Sequence, residues 1–131
     1  MAYEAKHRFA RISPRKARLI MDLVRGRDVD DAISILKFSK HRAAVMVEKV
    51  IRSAVANSTE QAPAPTRNTL FIASAWVDPG PIIKRFQPKD RGKAYPIKKR
   101  TSHLVVAIDE RGEGEEAPKQ NLAGRRPGKA R

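Results

Sequence analysis

The sequence predicts an α+β fold of three helices and three strands, with one long hairpin projecting from the sheet. Three observations predict it. Apolar residues recur at helical spacing in three separate stretches. An alternating N-terminal segment and two later apolar runs read as strands. Those two runs are separated by the 25 residues from Asp78 to Ser102, which carry almost no apolar pattern and much basic charge.

Tyr3, Ala5, His7 and Phe9 alternate with Glu4, Lys6 and Arg8, the two-residue period of a strand with one solvated or ligand-facing side. Ser13-Pro14 then supplies a capping hydroxyl and a proline at the first helical position, and Ala17, Ile20, Met21 and Val24 follow at helical spacing until Gly26. The first helix is therefore expected over Pro14 to Arg25, with Arg15, Arg18 and Arg25 in one stripe on its other face. Val29, Ala32, Ile33 and Leu36 mark a short second helix. The acids Asp28, Asp30 and Asp31 stand at its N-terminus, where the helix dipole favours negative charge, so the cluster needs no catalytic explanation.

A longer third helix is expected from about His41 to Ser58, presenting Ala44, Val47, Val50, Ile51, Ala54 and Val55 on one face; it should be the centre of the core. Gln61 to Asn68, with Pro63 and Pro65, breaks the pattern as a loop. Leu70 to Val77 is a second strand and His103 to Ile108 a third. Trp76 reads as sheet-core packing, because its neighbours Ala75 and Val77 belong to the apolar strand. The segment between these strands is expected to be an extended hairpin over about 78–102, with its turn near Lys89 to Gly92. Pro79, Pro81, Pro88 and Pro96 cannot donate to a ladder, so its arms are expected to be irregular. The folded unit should comprise residues 1–111, and the polar, Gly- and Pro-containing tail 112–131 should be disordered when free. With a packed body of only about ninety residues, intrinsic stability should be modest.

The chain has 131 residues, no cysteine and a formal charge of +14. Disulfide and thiolate-zinc chemistry are excluded, and the cytoplasm is the expected compartment. No apolar run approaches the roughly 18 residues that span a bilayer, and the first twelve residues do not resemble an export signal. The charge is uneven: residues 1–27 hold 8 basic and 2 acidic groups, 28–81 hold 6 and 6, 82–108 hold 8 and 1, and 109–131 hold 6 and 5. Two basic regions flanking a neutral middle suggest docking of a folded body on a polyanion through two places.

Catalytic chemistry has no foothold. His7, His41 and His103 fall on separate elements without nearby carboxylates, so neither a metal nor an acid–base site is expected. Gly80 and Gly92 do not form a phosphate loop, and no cofactor is expected. In the late segment the basic residues interleave with Phe86 and Tyr95, which could stack on unpaired bases, and this suits irregular folded RNA better than a regular duplex groove. Arg15, Lys16 and Arg18 alone do not separate phosphate contact from an ordinary solvated helix face. The residues expected to contact RNA are Lys6, Arg8 and Arg11; Arg15, Lys16, Arg18 and Arg25; and Lys84, Arg85, Lys89, Arg91, Lys93, Lys98, Lys99, Arg100 and His103.

Four segments follow one another along the chain: Ser13-Pro14-Arg15-Lys16-Ala17-Arg18 leading to Leu23-Val24-Arg25-Gly26, then Ser53-Ala54-Val55-Ala56-Asn57, then Val77-Asp78-Pro79-Gly80-Pro81 with Lys84-Arg85, and Lys99-Arg100-Thr101-Ser102-His103. In this order they resemble successive signatures of one family, the bacterial protein family numbered twenty-two of the large ribosomal subunit. The resemblance implies three helices packed on a three-stranded antiparallel sheet with one very long β-hairpin. It further implies large-subunit rRNA and neighbouring ribosomal proteins as partners, and no membrane. The body would sit near the exit of the nascent-peptide tunnel and help assembly. The hairpin would line the tunnel and meet the nascent peptide through Ile82, Ile83, Lys84, Arg85, Phe86, Gln87, Pro88, Lys89, Asp90, Arg91 and Gly92. Here the chain departs from the usual pattern. Where the family usually reads Pro-Arg-Ala before a basic residue and then Gly-Arg-Ala, Pro88-Lys89-Asp90-Arg91-Gly92-Lys93-Ala94 puts lysines in the arginine positions and a carboxylate among the expected phosphate contacts, and lysine lacks the bidentate fork that fixes a phosphate. Two other classes remain as alternatives: a basic architectural protein of DNA, and a nucleic-acid enzyme, for which no carboxylate or nucleophile constellation is present.

Overall fold

The computed structural model describes residues 2–61, 65 and 67–112, so the tail expectation lies outside the described residues. In chain order the elements are β1 (Tyr3–Ala10), α1 (Pro14–Val24), α2 (Val29–Phe38), α3 (Arg42–Glu60), β2 (Leu70–Pro88) and β3 (Ala94–Glu110). The strands form one antiparallel sheet in the order β1-β3-β2, so the last strand in sequence lies in the middle. Three helices on a three-stranded antiparallel sheet is the α+β architecture the sequence predicts.

The helices form where the apolar spacing places them. Ala17, Ile20, Met21 and Val24 of α1, Val29, Ala32, Ile33 and Leu36 of α2, and Ala44, Val47, Val50, Ile51 and Ala54 of α3 are all buried. They close one core against Leu104, Val106 and Ile108 of β3, with Leu70, Ile72, Ala75 and Val77 of β2 and Ala5 of β1. Gly26, at φ 76, ends α1 in the left-handed conformation that glycine adopts without steric cost. The next residues then run along the outer edge of β2: Gly26 N–H donates to the Ile72 carbonyl and Ile72 N–H to the Arg27 carbonyl, each at 2.9 Å. That pairing covers part of an edge that would otherwise be open to another strand.

All three helices lie on one face of the sheet. Val105 and Ala107 of β3 are 4% and 6% exposed but point to the opposite face, outside the helix-side core. Trp76 points the same way and is 40% exposed, so the expectation of core packing is overturned. Ala75 and Val77 take the inward positions, and strand alternation sends the residue between them outward.

Two further expectations need correction. In β1 the alternation holds through His7 and then breaks: a bulge between His7 and Ala10 turns Phe9 outward at φ 57, and Ala10 becomes the buried residue. The hairpin arms are regular, not irregular. After one bulge between Pro79 and Ile82, pairing continues without a break from Ile82↔Arg100 to Pro88↔Ala94. The prolines fit because of register. Lys89 N–H donates to the Lys93 carbonyl at 2.7 Å, so pairs alternate outward from there and both Pro88↔Ala94 and Phe86↔Pro96 fall in the class without ladder bonds. Nothing is lost where the missing N–H would have faced solvent.

Candidate nucleic-acid interface

The two basic regions of the sequence meet at the base of the hairpin. Ser102 is fully buried and its hydroxyl donates to the Ile12 carbonyl at 3.0 Å, tying the β1–α1 connection to β3. Arg11 and Lys16 are thereby held against the segment Lys98 to Arg100. Together with Arg42 at the start of α3 they line a cleft of about 860 Å³ that holds six cations and no carboxylate. A second hollow of about 440 Å³ adjoins it, lined by Ser13, Pro14, Arg15, Arg18, Pro79 and Arg100. Like charges gathered around open solvent repel one another, so the arrangement favours a bound polyanion.

Beyond the cleft the hairpin arms form a two-stranded ribbon with no buried side. Lys84 stands directly opposite Lys98, a pairing that destabilises a free ribbon and loses that penalty when phosphates lie beside it. At the tip, Gln87, Pro88, Lys89, Asp90, Arg91, Lys93 and Tyr95 surround a hollow of about 790 Å³. Phe86 is 74% and Tyr95 50% exposed. Because Phe86 pairs with Pro96 and Tyr95 with Gln87, strand alternation puts the two rings on opposite faces of the ribbon. The turn falls at Asp90 to Gly92, as the sequence predicts, with Arg91 and Gly92 both at positive φ.

Other predicted contacts have internal work. Arg25 donates from Nε and Nη2 to the Ala75 carbonyl at 3.1 and 2.6 Å, and from Nη1 to Asp22 Oδ1 at 2.8 Å. Arg18 donates to the Val77 carbonyl at 3.2 Å. The predicted arginine stripe therefore divides: Arg15 stays at the rim of the hollow, while Arg25 fastens α1 to β2. His103 accepts a hydrogen bond at Nδ1 from the Phe9 N–H at 3.0 Å, and Lys6 pairs with Glu4 at 2.9 Å. Arg85, Lys89, Arg91 and Lys93 are exposed along the ribbon and its tip.

Arg42 was missed because residues 28–81 balance to zero net charge. The balancing acids are displaced from it: Asp28 sits at the N-terminus of α2, paired with Arg111 at 3.1 Å, whereas Lys37 in the last turn of that helix and Lys40 and Arg42 just beyond it follow at the other end. A charge count over a shorter window would have found it. Among the described residues no group of three His, Cys, Asp or Glu side chains could hold a metal ion, and no helix is long and apolar enough to cross a membrane.

The sequence model for ribosomal protein L22p/L17e matches residues 5–109. The chain is 49% identical over 106 residues to large ribosomal subunit protein uL22 of Lactobacillus delbrueckii subsp. bulgaricus, covering 81% of this chain and 90% of that one. It is 48% identical over 108 residues to uL22 of Geobacter metallireducens, covering 82% and 97%. Against uL22 of Lactobacillus helveticus it is 46% identical over 110 residues, covering 84% and 93%.

Proposed function

The chain belongs to the ribosomal protein L22p/L17e family, and from that membership we propose that it docks on large-subunit rRNA through the basic cleft and extends its hairpin along the nascent-peptide exit tunnel. It is a protein of the large ribosomal subunit, located on the cytoplasmic ribosome, and it is structural, not an enzyme. The finer reading rests on one observation above all: six cations from three separate chain segments converge on a cleft without a carboxylate at the foot of an exposed cationic ribbon.

The mechanism is electrostatic docking combined with shape. Phosphates entering the cleft release counterions from the RNA and relieve the repulsion among Arg11, Lys16, Arg42 and Lys98 to Arg100. The sheet and α1 fix the direction in which the ribbon leaves the body, so docking also aims the hairpin. Its tip then presents Lys89, Arg91 and Lys93 to surrounding RNA, with Asp90 as the single carboxylate among them. The body supports assembly by holding separate RNA segments together, and neighbouring ribosomal proteins share that surface. Sedimentation after a high-salt wash tests the reading: the chain should stay with large subunits. Equal affinity for duplex DNA and folded rRNA in competition would instead favour an architectural DNA-binding protein.

A further inference from the structure

The face of the sheet that carries no helix belongs to neither the cleft nor the hairpin. Register places Lys6, Val105 and Trp76 abreast on it, with Glu4, Ala107 and Ser74 on one side and His103 with Asp78 on the other. Val105 and Ala107 form a recessed floor, and Trp76 stands beside it 40% exposed. The indole is held in place, since its Nε1–H donates to Asp78 Oδ2 at 3.1 Å.

Phe9 completes the face. A backbone at φ 57 is one that bulky side chains rarely adopt, yet here it carries a phenyl ring out of the core to 54% exposure. The surroundings hold it there: its N–H donates to His103 Nδ1, and its ring meets the imidazole edge-on at 4.9 Å with an 89° interplanar angle. Arg8 lies over the same ring at 5.3 Å. Since Nδ1 accepts a hydrogen bond, the neutral imidazole carries its proton on Nε2 and can donate away from the bulge. A strained backbone that exposes an aromatic ring points to a use for that ring.

We propose that this face binds an unpaired, single-stranded RNA segment, stacking bases on Trp76 and on the Phe9–His103 pair while Lys6 and Arg8 meet the phosphates. Three carboxylates stand on the face and each is engaged, Glu4 by Lys6, Asp78 by the indole and Asp109 by the Glu110 N–H, and Asp109 lies at the end of β3 away from Phe9, so they oppose an RNA strand over Trp76 and Phe9 little. Flat rings interleaved with cations, over a shallow floor, suit bases better than a protein partner's side chains. The face is also continuous with the cleft, because β1 leads from Arg8 directly to Arg11. The proposal rests on the RNA-docking reading above but concerns a different surface.

Trp76 is the only tryptophan, so its emission reports on this face alone. The full chain is titrated with a single-stranded RNA of about a dozen nucleotides and with a duplex of matching charge, a length suited to one stacking platform. Saturable quenching of about twofold or more by the single strand, and little by the duplex, is the expected result of base stacking. Phe9→Gly should leave the unfolding midpoint almost unchanged, because glycine accepts φ 57, yet weaken single-strand binding about tenfold through the lost stack. Unquenched emission at saturating single strand, while large-subunit rRNA still binds, would overturn the inference and leave the cleft reading intact. Quenching that appears only when other large-subunit proteins are added would also overturn it, assigning the face to protein. Loss of rRNA binding in Lys98→Ala/Lys99→Ala, with Trp76 quenching retained, supports both surfaces separately.

Discussion

Replacing Lys16, Lys98 and Lys99 together with alanine isolates the electrostatic part of docking. All three side chains are exposed and line the cleft, and none is part of the apolar core, so the fold should survive their loss. Each phosphate contact contributes about 0.9 to the salt slope on a duplex and about 0.7 on single strands. Removing three contacts should therefore flatten the slope of log K against log salt by about 2 to 2.7. Between about 50 and 200 mM salt that difference amounts to roughly a 20- to 40-fold narrowing of the affinity gap between wild type and variant. Filter binding of isolated large-subunit rRNA over a salt series reads it directly. Arg25→Ala is the matched control. Its half-exposed guanidinium holds the Ala75 carbonyl, so its removal should cost about 1–2 kcal/mol of stability without altering the slope. Parallel wild-type and triple-variant lines, or a slope change as large in Arg25→Ala, would refute the assignment of phosphates to the cleft.

The junction of body and hairpin should be sensitive to small changes. A Cβ at Gly80 would lie 2.5 Å from Thr101 Oγ1 and 3.2 Å from the Thr101 carbonyl carbon, so Gly80→Ala should open the bulge and cost about 1–3 kcal/mol in denaturant unfolding. Ser102→Ala leaves the Ile12 carbonyl without its buried donor and should cost about 1–3 kcal/mol while loosening Arg11 and lowering rRNA affinity. Replacing Lys84 to Lys98 with Asn-Gly keeps Ile83↔Lys99 as the closing pair; the melting of the body and sedimentation with subunits should persist, and nascent-chain elongation is the process expected to change. Backbone amides of Ile83 to Ile97 should exchange faster than those of Leu104 to Ile108, because a two-stranded ribbon without a buried face opens locally.

The parts of the fold that depend on burial were legible in the sequence. Helix ends differed from expectation by a residue or two, as at Glu60 of α3, but every expected apolar stripe became a core face, since 3.6-residue spacing admits only one buried side. The strands were harder to bound. Pro79 to Ile97 has no apolar alternation because neither face of the ribbon meets a core, so periodicity carries no signal where the structure is nonetheless regular. Charge counting found the segments 11–18 and 98–100, yet their convergence on one cleft depends on the Ser102–Ile12 tie, which joins residues 90 apart. The role of Arg25, an expected RNA contact, as helix–sheet fastener has the same origin: its partner, the Ala75 carbonyl, is a backbone atom that no side-chain pattern reveals.

Among the described residues, Phe9 and Arg91 are the non-glycine positions with positive φ, at 57° and 59°. Each conformation costs an L-residue about 1–2 kcal/mol that glycine would avoid, and glycine is used nearby at Gly92 and Gly26 where only the turn matters. Phe9 lies on the helix-free sheet face and Arg91 at the tip of the ribbon, so the strain falls on two outward-facing surfaces. Burial in the core does not return that cost: Phe9 is over half exposed and its ring meets only surface partners, His103 and Arg8, and the ribbon tip has no buried residue. An aromatic ring and a guanidinium are the two side chains that stack on bases and fork to phosphates. Local strain and outward chemistry thus coincide at both places, which supports the proposed RNA contact of the open sheet face and the hairpin tip on grounds independent of the net charge.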